Sequence, residues 1–176
     1  MTGQGSPVIV DLDGTLSELA PRVFRYLAAR LGDASLAEEI AQESLTALVR
    51  CWRNGGAPES AEAFVFAVAR RRLGRAVWRR RLWEPIEQAL GSRDGSPSPE
   101  SRAIVRDDEA RVRSALARLA RRDREAILLV AVGEMSMAEA AKVLGLSLSA
   151  VKMRVHRART RLAELLEERH GTRSTG

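Results

Sequence analysis

Apolar residues recur at helical spacing near the end of the chain, where the positions between them are polar or cationic. The apolar stripe consists of Val151, Val155, Ala158, Leu162 and Leu165. The opposite side carries Ser149, Met153, His156, Arg157 and Thr160, flanked by Lys152, Arg154, Arg159 and Arg161. No acid occurs between Ala140 and Ala163. The pattern predicts a helix with one face on a core and a cationic face suited to a nucleic-acid groove. A solvated surface helix is the alternative.

The same spacing predicts three helices in the first half of the chain. They run from near Ser17 to Gly32, from a cap at Ser35 to Trp52, and from a cap at Ser60 to Leu82. Their apolar faces are formed by Val23, Leu27 and Leu31, by Ala41, Leu45, Leu48 and Trp52, and by Phe66, Ala69, Leu73, Ala76 and Val77. The Asn-Gly-Gly-Ala-Pro stretch at 54–58 separates the second helix from the third.

The third predicted helix has an unusual second face. Phe64, Arg71, Arg75 and Trp78 fall together on it, and residues 70–81 contain seven arginines and no acid. Aromatic rings interleaved with guanidinium groups can stack on bases and hold phosphates. Arginines that merely solvate a long helix are a weaker interpretation, because no acids stand four residues away to compensate them.

The second half begins with two apolar helices, followed by a helix-turn-helix. Val112, Leu116 and Leu119 mark the first helix, and Ala126, Ile127, Leu129 and Val130 mark the second. Ser136 to Glu139 form a capping box that opens a short helix, which Gly145 ends shortly before the basic helix. Two short helices across a glycine-containing turn are typical of DNA-binding proteins.

Residues 84–108 are rich in Gly, Ser and Pro and hold six acids against three arginines. This composition predicts a flexible acidic linker. The fold class expected is all-α, with two small helical domains at 18–83 and 109–170 joined by that linker. Tails are expected at 1–17, as a mobile segment, and at 171–176.

Bulk composition favours a polyanionic partner, because the 176-residue chain carries a net charge of +6. One cysteine excludes an intramolecular disulfide, and Cys51, beside an apolar stripe, is expected to be a buried thiol. The two histidines form no metal cluster with it, so neither a metal nor a cofactor is expected. No membrane-spanning run or signal peptide is apparent, which favours a cytoplasmic protein without membrane insertion.

One motif near the start of the chain suggests a different class of protein, an enzyme. The segment from Val8 to Leu16 resembles the first motif of haloacid-dehalogenase-type phosphatases, in which Asp11 would be the nucleophile and Asp13 the acid/base. Such a fold needs further parallel strands and a lysine, but both lysines, Lys142 and Lys152, lie in C-terminal helices. Asp-Gly-Thr as a turn or helix start is therefore favoured. Phosphate release lost on Asp11→Asn would be needed to restore the phosphatase hypothesis.

Three segments in order carry a second resemblance: Glu38-Glu39-Ile40-Ala41-Gln42-Glu43-Ser44-Leu45, Ala63-Phe64-Val65-Phe66-Ala67-Val68-Ala69-Arg70, and the stretch from Leu119 to Leu162. They resemble regions 2.2, 2.3 and 4 of sigma-70 family RNA polymerase sigma factors of the small extracytoplasmic-function type. The resemblance covers residues 18–83 and 109–167. It implies a promoter-recognition factor without enzymatic activity.

The resemblance also implies partners and sites. Core RNA polymerase would be bound through its β′ clamp and β flap, promoter DNA through the −10 and −35 elements, and an anti-sigma factor would hold the chain inactive. The polymerase contacts would be Glu38, Glu39, Gln42, Glu43 and Thr46. The −10 contacts would be Phe64, Arg70, Arg71, Arg75 and Trp78, below a base-capturing loop at 53–62. The −35 contacts would be Ser149, Ala150, Lys152, Met153, Arg154, His156, Arg157 and Arg159.

Three positions depart from the family pattern at −10 and two at −35. Phe64 stands for a usual tryptophan, Arg71 for an asparagine and Arg75 for an acid, while Ala150 and Met153 replace a common threonine and serine. A stand-alone helix-turn-helix regulator, which would bind operator DNA without polymerase and usually as a symmetric dimer, is the alternative function.

Overall fold

The computed structural model describes residues 11–90 and 103–171, and within them every regular element is an α-helix. The all-α expectation is confirmed. The helices are α1 (Leu12–Leu31), α2 (Ala34–Arg53), α3 (Ala61–Leu90), α4 (Ala103–Arg118), α5 (Arg121–Ala131), α6 (Met137–Leu144) and α7 (Leu148–Gly171).

Helix α1 begins earlier than the periodicity predicts. Asp11 is its N-cap, and the side chain accepts a 3.0 Å hydrogen bond from the Gly14 amide. The Thr15 hydroxyl donates to the Asp11 carbonyl at 2.8 Å. The Asp-Gly-Thr stretch is therefore a helix start, since a short acidic side chain satisfies an otherwise unpaired amide there. The predicted mobile tail at 1–17 is wrong for residues 11–17, and residues 1–10 lie outside the described part.

The other helix caps confirm two predictions and correct one. Ser60 accepts from the Ala63 amide and Ser136 from the Glu139 amide, as expected. The cap of α2, however, is Asp33 and not Ser35, because the Asp33 carboxylate accepts from the Leu36 amide at 3.1 Å. An aspartate two residues earlier provides a carboxylate acceptor for the helix N-terminus.

The helices on either side of the acidic segment are longer than predicted. Helix α3 continues to Leu90, beyond the expected end at Leu82, and α4 starts at Ala103. Leu82, Ile86 and Leu90 continue the four-residue spacing, so the helical period outlasts the change in composition. The linker prediction for 84–108 is therefore wrong at both ends, and its centre, 91–102, lies outside the described residues.

The core is continuous across both halves of the chain. Its buried members include Phe66 and Ala69 of α3, Leu128 and Leu129 of α5, and Val151 of α7. A smaller cluster lies wholly within the second half and contains Ala115, Leu119, Ile127, Ala158 and Leu165. The two helical units expected from the sequence thus pack directly against each other.

Three predicted core positions are more exposed than expected. Val77 is 37% exposed and Val112 is 45% exposed. Cys51 is only half-buried, and its thiol donates to the Gly56 carbonyl at 2.6 Å. Each lies at the margin of an apolar face, where periodicity does not show how far the neighbouring helix extends.

Candidate nucleic-acid interface

Helices α6 and α7 form the predicted helix-turn-helix. Gly145 ends α6 in the left-handed conformation, with φ 65°, and its amide donates back to the Ala141 and Lys142 carbonyls of the last turn. Ser147 then accepts from the Ala150 amide at 3.2 Å and so caps α7. Val151 and Val155 are fully buried. The apolar stripe therefore holds α7 on the core with its opposite face outward.

The outward face of α7 is cationic and accessible. Met153, an apolar side chain among these polar and cationic residues, is 55% exposed. Most of the predicted −35 residues are exposed, namely Ser149, Lys152, Met153, His156, Arg157 and Arg159. Ala150 and Arg154 are half-buried. The structure thus brings the set together on one helix face.

Arg157 differs from the others because it has a partner within the protein. Its Nε and Nη2 donate to the two carboxylate oxygens of Asp123 at 3.2 and 2.9 Å. The hydrogen bonds and charge of Asp123 raise the pKa of Arg157. A bidentate pair fixes the guanidinium plane, so Arg157 is held in one orientation at the edge of the α7 surface.

The predicted −10 residues on α3 divide into two groups. Arg71 and Arg75 are exposed, and Trp78 is 65% exposed, so these three can reach a ligand. Phe64 is half-buried. Arg70 donates from Nε to the Glu125 carboxylate of α5 at 2.7 Å. The missing acids of this helix are thus supplied by another element, which sequence spacing along one helix cannot reveal.

The acidic face of α2 lies beside the exposed part of α3. Glu38, Glu39, Gln42, Glu43 and Thr46 are all exposed. A cleft of about 490 Å³ is lined by residues of both helices, including Glu39, Glu43, Arg75 and Trp78. An ion pair between Glu43 and Arg72 closes one side. The predicted polymerase and −10 sets therefore adjoin each other in space.

Sequence reasoning missed Arg22, which is 8% exposed and the most buried charged residue of the described part. Its guanidinium donates to Glu18 at 3.0 Å, to the Gly133 and Glu134 carbonyls at 3.0 and 3.1 Å, and to Glu62. A signal existed, because position 22 falls at helical spacing between Leu19 and Tyr26 on the apolar face of α1.

Comparison with known proteins assigns the class of these two helical units. Residues 16–83 match the family described as "Sigma-70 region 2", and residues 109–162 match "Sigma-70, region 4". The chain is 36% identical over 168 residues to the ECF RNA polymerase sigma factor ShbA of Streptomyces griseus, covering 87% of this chain and 86% of that one.

Two solved structures have the same architecture. The sigma factor RpoE of Bartonella quintana, in complex with the anti-sigma factor NepR, matches with a TM-score of 0.66 over 89% of this chain and 97% of that one, at 24% identity. CnrH, in complex with the cytosolic domain of CnrY, matches with a TM-score of 0.57 over 88% of this chain and 82% of that one, at 27% identity. At 24% identity, the match to RpoE shows a common fold and nothing further.

The fold and the exposed basic helix define a DNA-binding helix-turn-helix protein with a second helical unit. The chain belongs to the sigma-70 family of RNA polymerase sigma factors, in its extracytoplasmic-function group. Its function is that of a transcription initiation factor, and the stand-alone regulator is not favoured. Among the described residues, no helix is long and apolar enough to cross a membrane.

Proposed function

We propose that this sigma factor directs core RNA polymerase to promoters through two DNA contacts and one polymerase contact, with no covalent chemistry of its own. The −10 and polymerase contacts would belong to a unit at 18–83, and the −35 contact to a unit at 109–170. Residues 84–108 would connect them in the cytoplasmic complex. The observation that carries the proposal is the exposed cationic face of α7, whose N-terminus is capped and whose apolar stripe is buried.

The −35 duplex would receive the N-terminal half of α7 in its major groove. Ser149, Lys152 and Met153 are exposed near the helix start, so we assign them to base edges. His156 and Arg159 lie on one flank of the outward surface of α7 and Arg154 lies on the other. All three would contact phosphates, which position the protein without reading sequence. Ala150 would allow close approach of the helix to the groove, and Arg157 is presented by Asp123.

The −10 element would bind as single-stranded DNA on the accessible side of α3. Trp78 offers a ring for stacking, while Arg71 and Arg75 supply cations within reach of the backbone. Stacking contributes about 1–3 kcal/mol per base, which offsets the similar cost of unstacking the duplex. Phe64 is half-buried and Arg70 is bonded to Glu125. These two residues would contact the DNA only after leaving those positions.

Core polymerase would bind the acidic face of α2, formed by Glu38, Glu39, Gln42, Glu43 and Thr46. Charged groups that remain exposed in the free protein are suited to steer and orient a basic partner. The β′ clamp would occupy this face, and the β flap would contact the second unit. An anti-sigma protein is also proposed, since the similar CnrH was solved with the cytosolic domain of CnrY.

Two variants separate these contacts. Lys152→Ala with Arg154→Ala should weaken binding of the holoenzyme to −35 duplex DNA at least tenfold and leave polymerase binding unchanged, because both residues lie on α7. Glu39→Ala with Glu43→Ala should weaken polymerase binding at least tenfold and leave binding to −35 duplex DNA unchanged. Glu164→Ala with Glu167→Ala serves as the acidic control, since both acids are exposed elsewhere. Loss of both activities in a folded variant would contradict the division of the sites.

A further inference from the structure

The outward surface of α7 is not uniformly cationic. Successive residues of an α-helix are turned by about 100°, so each position has a fixed direction relative to the buried stripe. Ser149, Met153 and Thr160 are exposed and lie opposite the buried Val151 and Val155. None of the three carries a charge. We call this line of uncharged residues the crest of α7.

Basic side chains stand on both sides of the crest. His156 and Arg159 lie on one flank, and Arg154 and Arg161 lie on the other. The two strands of B-DNA place a row of phosphates along each edge of the major groove, and the base edges lie between these rows. Two basic flanks therefore fit the phosphates, while the crest faces the bases.

An acid limits how much of the crest can enter the groove. Glu164 lies one turn beyond Thr160 on the same face, is exposed, and accepts a 2.7 Å hydrogen bond from Arg161. Phosphates repel a carboxylate, so the groove contact ends before this position. The remaining stretch, 149–160, spans about three helical turns. Met153 lies within it, one turn after Ser149.

Met153 is the crest residue that extends furthest from the helix. Its side chain is the longest of the three and is 55% exposed. The Ser149 hydroxyl lies 3.0 Å from the hydroxyl of Ser147, in the turn before the helix. A single exposed apolar side chain is ordinary on a protein surface. What distinguishes Met153 is its position between two basic flanks, on the line that faces the bases.

The chemistry of this side chain matches one base in particular. A thioether is apolar and flexible and has no hydrogen-bond donor. It cannot form the bidentate hydrogen bonds by which arginine or lysine reads guanine and asparagine or glutamine reads adenine. The apolar group that the major groove offers is the C5 methyl of thymine. Contact between thioether and methyl removes apolar surface of both from water, which is favourable.

We propose that Met153 is a specificity-determining residue that reads the methyl group of a thymine in the −35 element. The inference rests on the proposed −35 function of α7 and adds the base that one position selects. The base pair opposite Met153 is A·T, with its thymine on the strand that the side chain reaches. Burial of one methyl group contributes about fourfold to affinity.

The first part of the test finds the base pair that depends on Met153. Holoenzyme reconstituted from core polymerase and the full chain is used to select binding sites from DNA duplexes that are random across both promoter elements. The parent is compared with Met153→Ser and Leu148→Ser. Leu148 is a matched control, because it is an apolar residue of α7 that is 43% exposed but lies away from the crest. The parent and Leu148→Ser should select thymine at one −35 position, and Met153→Ser should lose that preference.

The second part removes the methyl group alone. Uracil replaces the selected thymine in the recovered duplex and keeps every hydrogen-bonding atom of the base. Binding of the parent holoenzyme should weaken about fourfold. Binding of the Met153→Ser holoenzyme should not change, whereas Met153→Leu, which restores an apolar side chain, should again respond to uracil. Circular dichroism checks that each variant is folded.

The inference is overturned if uracil leaves the parent unaffected, or if it weakens the parent and Met153→Ser equally. It is also overturned if the base pair that depends on Met153 is G·C. In each of these cases a −35 element has been selected, so the proposed function of α7 stands. Failure of that function has a different signature, because the parent would then select no −35 element and Lys152→Ala with Arg154→Ala would not weaken binding. Both proposals fall with that result.

Discussion

Asp123 binds Arg157 through both carboxylate oxygens, and this pair connects α5 to the cationic, exposed side of α7. Because Asp123 is mostly buried and Arg157 is half-exposed, the pair fixes a guanidinium at a surface without removing it from solvent. Arg157 is thus both a structural contact and a DNA-binding candidate, a combination that complicates any single substitution at this position.

Asp123→Asn separates these two roles. It should leave Arg157 in place but mobile and lower the free energy of unfolding only slightly, since the exposed guanidinium limits the strength of the pair. The ratio of affinities for promoter duplex and scrambled duplex should fall several-fold, because an unfixed guanidinium reads bases poorly. Binding titrations on both duplexes measure this ratio. An unchanged ratio would assign Arg157 a purely structural role.

Tyr26 provides a direct test of burial between α1 and α3, where its ring packs against Phe66. Burial raises the pKa of Tyr26 to about 12 from the ordinary 10, despite the opposing effect of Arg30. Tyr26 is the single tyrosine of the chain, so phenolate absorbance during an alkaline titration reports it alone. The native midpoint should lie near pH 12 and the unfolded one near pH 10. A native midpoint near 10 would show that the ring is accessible.

The same shift predicts how stability depends on pH. A raised folded-state pKa means that the neutral phenol is favoured on folding, so its contribution is complete below pH 10 and is lost as pH rises to about 12. The loss amounts to about 3 kcal/mol for this group. Tyr26→Phe should abolish this loss of stability at alkaline pH. It should not lower the free energy of unfolding at pH 7, because the hydroxyl has no hydrogen-bond partner to lose. Urea unfolding of both proteins at pH 7 and 11 makes the comparison.

Arg22 should be among the most sensitive charged positions. Arg22→Ala should cost about 3–5 kcal/mol, because it leaves the partly buried Glu62 and two carbonyls without their donor. Arg22→Lys should recover little, since an ammonium cannot reproduce the planar fork that reaches four acceptors. The exposed Arg50→Ala is the control and should change the unfolding free energy by less than about 0.5 kcal/mol. Similar losses for both alanine variants would contradict this account.

Backbone strain at Glu134 predicts different effects on stability for two substitutions. Glu134→Gly should be nearly neutral, because relief at φ 55° offsets the loss of the exposed pair with Arg25. Glu134→Val should cost about 1–3 kcal/mol, since a β-branched residue is disfavoured in the left-handed region. Thermal unfolding distinguishes them. Equal melting temperatures would indicate that the turn relaxes out of this conformation.

Local motifs were predictable only as far as their partners are local. The Ser136 cap was predicted correctly, because its acceptor and donor lie three residues apart. In a capping box the Glu139 carboxylate would return to the Ser136 amide. It instead accepts from the Ser60 hydroxyl, 79 residues earlier, and no local spacing predicts that contact. Arg70 is a similar case, because its acid stands on another helix.

The sequence by itself determined the helices, the turn before α7 and the exposed cationic face, because periodicity and caps act within a few residues. Only the tertiary structure decided which charges are free to meet DNA and which are paired, because pairing depends on how distant helices cross. For that reason the exposure of Lys152 could be predicted from its position along α7. The pairing of Arg70 with Glu125 and of Arg22 with the Gly133 carbonyl could not, because both partners lie on distant parts of the chain.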